Sequence, residues 1–350
     1  MGKRTLLIYI AVLSFSVSKA QIWKSIGSGI SSAPAVVTTT NKLIVTAHTL
    51  SNTTADADSR SYAIRVWNGN YWLSLPPITI SPKGYISSLK IYKNALYIAG
   101  DFDTLNGLDS SKNIVRWANG KYNAIPELWR DLNDYENIRG LNIYGNKLLA
   151  HGVFYHPDGV FGDGLIAFNG EEVVTIDPDF GSGVFGNIYT LNSDFDDLLV
   201  VGGRFTKVDG AVAKQLAYFS DGQWTRLTNN VIIPSKVIAH KEDIYFYGNE
   251  LGGKNLGFYK VNGVKIDTLN NGLSRIDKIY DFVNIDGDLY ASGIFQLTDT
   301  DEEEYRLIRW RNNKWEAVTN GNLFGITKLT NQNNQLLASG YFNSYPNVDL

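Results

Sequence analysis

His151 and His156, separated by four residues and followed by Asp158 and Asp163, carry the imidazole and carboxylate groups that a zinc-type site uses. In a strand that runs into a loop, this spacing does not force four ligands to converge. His151 also falls in a slot that alternates with core residues, so it reads as a packed or solvated histidine and no metal is expected. Asp299, Asp301, Glu302, Glu303 and Glu304, and the pairs Asp101/Asp103 and Asp286/Asp288, have the oxygen chemistry of calcium ligands. None has the turn-making glycine at a fixed position that a calcium loop needs, so they read as solvated acidic loops. Paired-carboxylate glycosidase chemistry has many candidates here and no distinguishing motif. No Gly-x-Ser-x-Gly elbow and no phosphate-cradling glycine loop occurs. No catalytic residue and no cofactor is assigned.

Aromatic residues beside polar ones are the better candidates for binding. Trp129, Arg130, Asp131 and Tyr135 share one polar stretch, and Tyr155, His156 and Asp158 share another with Phe161. Flat rings flanked by polar groups suit sugars or peptides, because they offer contact area at low entropic cost. Trp129 and Phe161 can equally serve to plug gaps between sheets.

The elements that must position these residues repeat along the chain. A short apolar strand ends on Ala47, Gly100, Gly152, Gly203, Gly248, Gly293 and Gly340, at intervals of 45 to 53 residues. An aromatic follows two places later as Phe102, Phe154, Phe205, Phe295 and Phe342. Each unit reads as four strands. The third ends on Trp67, Trp117, Phe168, Phe219, Tyr259 or Trp310, and a hairpin dipeptide such as Asn119-Gly120 or Asp221-Gly222 leads into the fourth. No 3.6-residue apolar period persists, so helix is not expected. An all-β unit of this length points to one seven-bladed β-propeller of four-stranded antiparallel blades over residues 21–350. Long connections between strands two and three, and between units, fall on one face, which is the expected functional face.

The last blade is expected to be a composite. Trp23 and Ile26 match a fourth strand, while Gly325–Thr330 and Leu336–Tyr341 supply the first and second. By the spacing of the other units its third strand falls beyond Leu350, so either the natural chain continues or the blade has a gap.

Residues 1–20 read as a cleaved export signal. Lys3 and Arg4 precede an apolar run to Phe15, and Ser18 and Ala20 stand at −3 and −1 of a cut before Gln21. The protein is therefore expected to be secreted, periplasmic or at the cell surface, with no membrane-spanning segment in its mature part. The absence of cysteine in 350 residues leaves core burial to stabilise it and excludes thiolate chemistry. With a net charge of −3 and scattered Lys and Arg, it lacks the basic face of a nucleic-acid binder.

The pattern Leu96-Tyr97-x-x-Gly100-x-Phe102, followed by Asn113-Ile114-x-x-Trp117-x-x-Gly120, resembles secreted bacterial propeller repeats related to the Rax2-like and kelch (galactose-oxidase-like) families. The resemblance runs over residues 21–350 and implies the propeller. It departs from kelch repeats in having only Gly202-Gly203 in phase as a glycine pair. It departs from galactose oxidase in having no cysteine for the copper-radical cofactor. Ser220-Asp221-Gly222-x-Trp224 superficially resembles the Asp-box turn of sialidases, but its phase makes it an ordinary hairpin. The functional expectation is a monomeric, non-catalytic binding or surface-assembly module for a glycan or a cell-surface protein. The alternative is a carbohydrate-active hydrolase or lyase.

Overall fold

The computed structural model describes residues 11–13, 23–26, 34–40, 42–50, 58–82, 84–125, 137–154, 164–195, 198–228, 231–240, 243–253, 256–298, 304–318 and 325–341. Among them there is no helix, and the strands form seven antiparallel sheets, most of them four-stranded. The chain divides into two compact units: residues 50–62 and 77–268, and residues 1–49, 63–76 and 269–350.

In the first of these units, strands Tyr85–Tyr92, Ala95–Asp101, Ile114–Ala118 and Lys121–Ala124 lie side by side in chain order. The same meander recurs over residues 137–174, 184–226 and 232–268. The second strands Ala95–Asp101 and Lys147–Val153 are buried along almost their whole length because both their faces are covered. Leu148 and Ala150 pack with Tyr97 and Ile114 of the preceding sheet, while Leu149 turns to Val201 and Phe219 of the next. Leu199 and Val201 against Leu198 and Val200 repeat that division one sheet later. Up-and-down four-stranded sheets stacked in this way are β-propeller blades.

The small residue that marks each repeat has a structural cause. In six sheets the first strand carries a β-bulge, between Ile86/Ser88, Ile138/Gly140, Ile188/Thr190, Pro234/Lys236, Ile279/Asp281 and Ile326/Lys328. The bulge drives a carbonyl into the second strand. A Cβ added at Gly100, Gly152, Gly203, Gly248, Gly293 or Gly340 would overlap the backbone oxygen of Tyr85, Asn137, Asn187, Ile233, Lys278 or Gly325 respectively. The exception proves informative: Val36–Thr39 pairs with Ile44–Thr49 in unbroken register, and there the repeat carries Ala47. Gly203→Ala is expected to lower stability by about 1–3 kcal/mol through overpacking against backbone, whereas Ala47→Gly should cost less than about 1 kcal/mol. Urea midpoints of the two variants check the contrast.

The hairpins divide into two kinds. Asn119-Gly120, Asp221-Gly222 and Asn312-Asn313 have positive φ at both positions, as expected for type I′ turns. At Asn68 and Asn169 the loop is longer. Asn68 Oδ1 accepts the N–H groups of Asn70 and Tyr71, and Asn169 Oδ1 those of Glu171 and Glu172. Register also corrects the end of one third strand. Val261, not Tyr259, pairs with Ile244 and stands where Trp117 pairs with Leu96.

The other unit contains strands Leu273–Ile285, Asp288–Leu297, Glu304–Arg311 and Lys314–Ala317 as one meander. A second sheet joins the chain's two ends. Ile326–Gln332 and Gln335–Gly340 take its first two places, and Trp23–Ser25 takes the fourth, as expected for Trp23. The third place is not vacant. Ala11–Leu13 fills it, paired on one side with Leu336–Ala338 and on the other with Trp23–Ser25. Sequence spacing searched for this strand after Leu350, whereas it comes from the apolar run near the N-terminus, whose short β-compatible segment fits a strand as well as an export signal.

Candidate functional site

Each bulge leaves one residue of the first strand outside the ladder, at Ser87, Arg139, Tyr189 and Ser235 in the unit that holds residues 77–268. These positions lie at the sheet end where second strands finish and the long connections begin. Ser87 Oγ donates to the carbonyl of Ile138 at 2.5 Å, tying it to the next sheet. Arg139 is exposed, and its guanidinium carbon lies 4.3 Å from the centre of the Tyr189 ring. Stacking on a neighbouring sheet's ring holds the planar fork in one orientation with its N–H donors available. Among the described residues Arg139 has no ion-pair partner.

Around Arg139 stand groups of mixed polarity. Burial, and then the Asp101 carboxylate, push the Tyr85 phenol above its ordinary pKa, and Arg139 partly offsets them. Burial and then Asp103 raise the Asp101 carboxyl, opposed by Lys112. Asn137 Oδ1 is buried without a hydrogen-bond donor among the described residues. The arrangement offers a fixed cation, a phenol and a carboxylate, which is equipment for recognising a polar ligand.

The second bulge residue has a different task. Ser88 Oγ, Thr190 Oγ1 and Asp281 Oδ2 accept the N–H groups of Leu141, Val237 and Leu329, at 3.0, 3.0 and 2.8 Å. Each bond pins one sheet to the next in its unit. Gly140 holds this position in its own sheet, and the His151 ring takes up the space a side chain there would need. His151 is only 4% exposed, and its Nδ1 has no partner among the described residues. Burial, and then the Arg139 charge, hold its pKa down at about 3. It is thus a packed neutral histidine.

All seven residues singled out in the sequence, Trp129, Arg130, Asp131, Tyr135, Tyr155, His156 and Asp158, lie outside the described residues. Segment 126–136 leads into Asn137 and segment 155–163 follows Phe154, so both adjoin the strands that carry Arg139 and His151. Sequence reasoning missed Arg139, Tyr189, Tyr85 and Asn137, and took Asp101 only as half of a solvated acidic pair with Asp103. A signal was present: Ile86-x-x-Leu89, Ile138-x-x-Leu141, Ile188-x-x-Leu191, Ile279-x-x-Phe282 and Ile326-x-x-Leu329 place two residues, not one, between inward positions. In a strand that spacing requires a bulge, and a bulge re-aims the extra side chain. Among the described residues no group of three or more His, Cys, Asp or Glu is placed to hold a metal ion. Among the described residues no helix is long and apolar enough to cross a membrane.

No family model matches the sequence, and no curated protein matches it. Among solved structures, the acylaminoacyl peptidase of Pyrococcus horikoshii is similar with a TM-score of 0.50 at 15% identity, over 88% of this chain and 49% of that one. YCF48 bound to D1 peptide gives a TM-score of 0.48 at 13% identity, over 91% of this chain and all of that one. The β-propeller domain of the trilobed protease from Pyrococcus furiosus gives 0.40 at 11% identity, over 83% and 98%. At these identities the likeness concerns the fold alone.

Proposed function

We propose that this chain is an exported, monomeric, seven-bladed β-propeller of the Rax2-like and kelch-related kind that binds a polar ligand, glycan or protein, without catalysis. The ligand sits on the sheet ends around Arg139, with Trp129, Arg130, Asp131, Tyr135, Tyr155, His156 and Asp158 contributed by the adjoining connections. The observation that carries this reading is the Arg139 guanidinium. It is exposed, stacked on Tyr189 at 4.3 Å and free of any described carboxylate partner. A fork held this way keeps its donors for a partner that is not part of the fold.

Screening on a glycan array and a peptide library is expected to give binders whose affinity falls at least tenfold in Arg139→Ala, a loss of about 1.4 kcal/mol or more. Arg139→Lys should recover little, since it keeps the charge and loses the planar fork. The thermal midpoint should stay within a few degrees, because the side chain is exposed. Binders untouched by the substitution, or release of new reducing ends from a polysaccharide by the purified protein, would overturn this reading in favour of another surface or of a hydrolase or lyase.

A further inference from the structure

The bulge beside each repeat glycine gives one position a common character in both units. The residue left outside the ladder is Ser87, Arg139, Tyr189 or Ser235 in the unit that holds residues 77–268. In the unit that holds residues 269–350 it is Tyr280 or Thr327. Every one of these side chains carries an N–H or O–H donor, and none is a carboxylate or an aliphatic. Two of the donors serve the scaffold: Ser87 Oγ donates to the carbonyl of Ile138 and Thr327 Oγ1 to that of Ser339 at 3.4 Å. Arg139, Tyr189, Ser235 and Tyr280 have no side-chain hydrogen bond among the described residues.

The unit containing residues 269–350 also repeats the cation on a tyrosine. Lys278 Nζ lies 4.8 Å from the centre of the Tyr280 ring, as the Arg139 guanidinium lies 4.3 Å from that of Tyr189. Lys278 is exposed, and among the described residues it has no ion-pair partner. The acids beside it are engaged elsewhere. Asp277 Oδ2 pairs with Arg275 at 2.9 Å, and Asp281 Oδ2 accepts the N–H of Leu329. Each unit thus presents an exposed, unpaired cation seated on a tyrosine at the bulge. Such cations call for a negatively charged acceptor, and the planar fork of Arg139 matches a carboxylate. Peptide side chains are selected by apolar pockets, which these positions do not offer. Phenol and hydroxyl donors beside the cations suit the ring and hydroxyl oxygens of a sugar.

We infer that Lys278 on Tyr280 is a second recognition point of the same kind as Arg139 on Tyr189, and that the groups both cations take are the uronate carboxylates of an acidic polysaccharide. The inference deepens the binding reading above and rests on it for Arg139.

Polygalacturonate and alginate serve as probes, each beside its carboxyl-reduced, neutral form, with poly-glutamate as the acidic peptide. The full chain should bind at least one polyuronate about tenfold or more tightly than its reduced form, and by the same margin over poly-glutamate. Lys278→Ala should weaken that binding by about threefold or more and make it less sensitive to salt, since one fewer charge is engaged. Lys278→Arg should retain both properties. The thermal midpoints should stay with the parent, because the side chain is exposed. A Lys278→Ala protein with unchanged affinity and salt dependence, or equal affinity for the reduced polymers, overturns the inference. Poly-glutamate held as tightly as the polyuronates would overturn the polysaccharide in favour of an acidic peptide. An Arg139-dependent binder from the array, with both polyuronates ignored, would overturn this inference and leave the Arg139 site standing. The absence of any Arg139-dependent binder would overturn both.

Discussion

Replacing Trp315 with alanine is expected to lower the stability of the unit containing residues 269–350 by about 3–5 kcal/mol. The side chain is 2% exposed and lies second in the fourth strand of its sheet, Lys314–Ala317. It meets the Trp310 ring edge-on at a centroid distance of 5.5 Å and lies 6.5 Å from the ring of Phe282. Its Nε1–H donates to the carbonyl of Leu269 at 2.6 Å. The same bond recurs one repeat apart elsewhere: Trp224 donates to Phe180 at 3.0 Å, and Trp72 to Ile26 at 3.1 Å. Truncation therefore opens a cavity and leaves a carbonyl unpaired in one step. Trp315→Phe separates these terms, since it keeps most of the ring volume and loses only the donor, for about 1–3 kcal/mol. Urea unfolding followed by tryptophan fluorescence measures both. A Trp315→Ala midpoint equal to that of Trp315→Phe would show that the ring packs less tightly than its burial indicates.

The second large effect is a fall in stability on mild acidification, caused by His151. In the folded protein its imidazole stays neutral down to about pH 3, because burial and then the Arg139 charge oppose protonation. In the unfolded chain it protonates near pH 6.5. The unfolded state thus binds the extra proton first. Stability from this group is complete above pH 6.5 and declines as pH falls, by about 1.4 kcal/mol per unit, until the folded ring titrates near pH 3. Between pH 6.5 and 5 the loss is about 2 kcal/mol, in a range where most carboxylates have yet to titrate. His151→Gln removes the titrating group, so the difference in unfolding free energy between pH 7 and pH 5 should shrink by that amount. NMR gives an independent reading among only four histidines. The His151 ring protons should not move between pH 7 and pH 4.5, and a midpoint near 6 would contradict the packed environment.

Much of the scaffold was legible before any coordinates. Strand alternation, the repeated small residue and the hairpin dipeptides gave the sheets, and the match of Trp23 to Trp72 and Trp315 placed a strand of the N-terminal region at the fourth position of a C-terminal sheet. These features are local. A two-residue turn with positive φ at both positions admits few residue types, so Asn119-Gly120 or Asp221-Gly222 can be read directly. Asn68 and Asn169 look the same in sequence but cap longer loops through their side-chain oxygens, because the pairing partner across the strand sets the loop length.

The binding candidates fared differently. Chemistry-bearing residues were sought in the long connections, where loops usually carry function, and those residues adjoin the described strands without belonging to them. Arg139 and Tyr189 were overlooked because a strand of alternating polarity hides its outward residues among many. What distinguishes them is a bulge, and a bulge shows in sequence only as an apolar pair spaced three apart in a strand.

The amino-acid sequence by itself determined the all-β repeat, its phase, the small residue at the end of each second strand and the tryptophans that flank four of the hairpins, because periodicity two, turn chemistry and side-chain size act over a few residues. Only the tertiary structure decided why that residue is small, since the clashing carbonyl belongs to the neighbouring bulged strand. Tertiary structure alone also stacked Arg139 on a ring fifty residues away in sequence, and assigned the third strand of the end-joining sheet to Ala11–Leu13. Each of these depends on which backbone lies beside which, and ladder hydrogen bonds form between main-chain groups that every residue carries, so side-chain types alone leave the partner open.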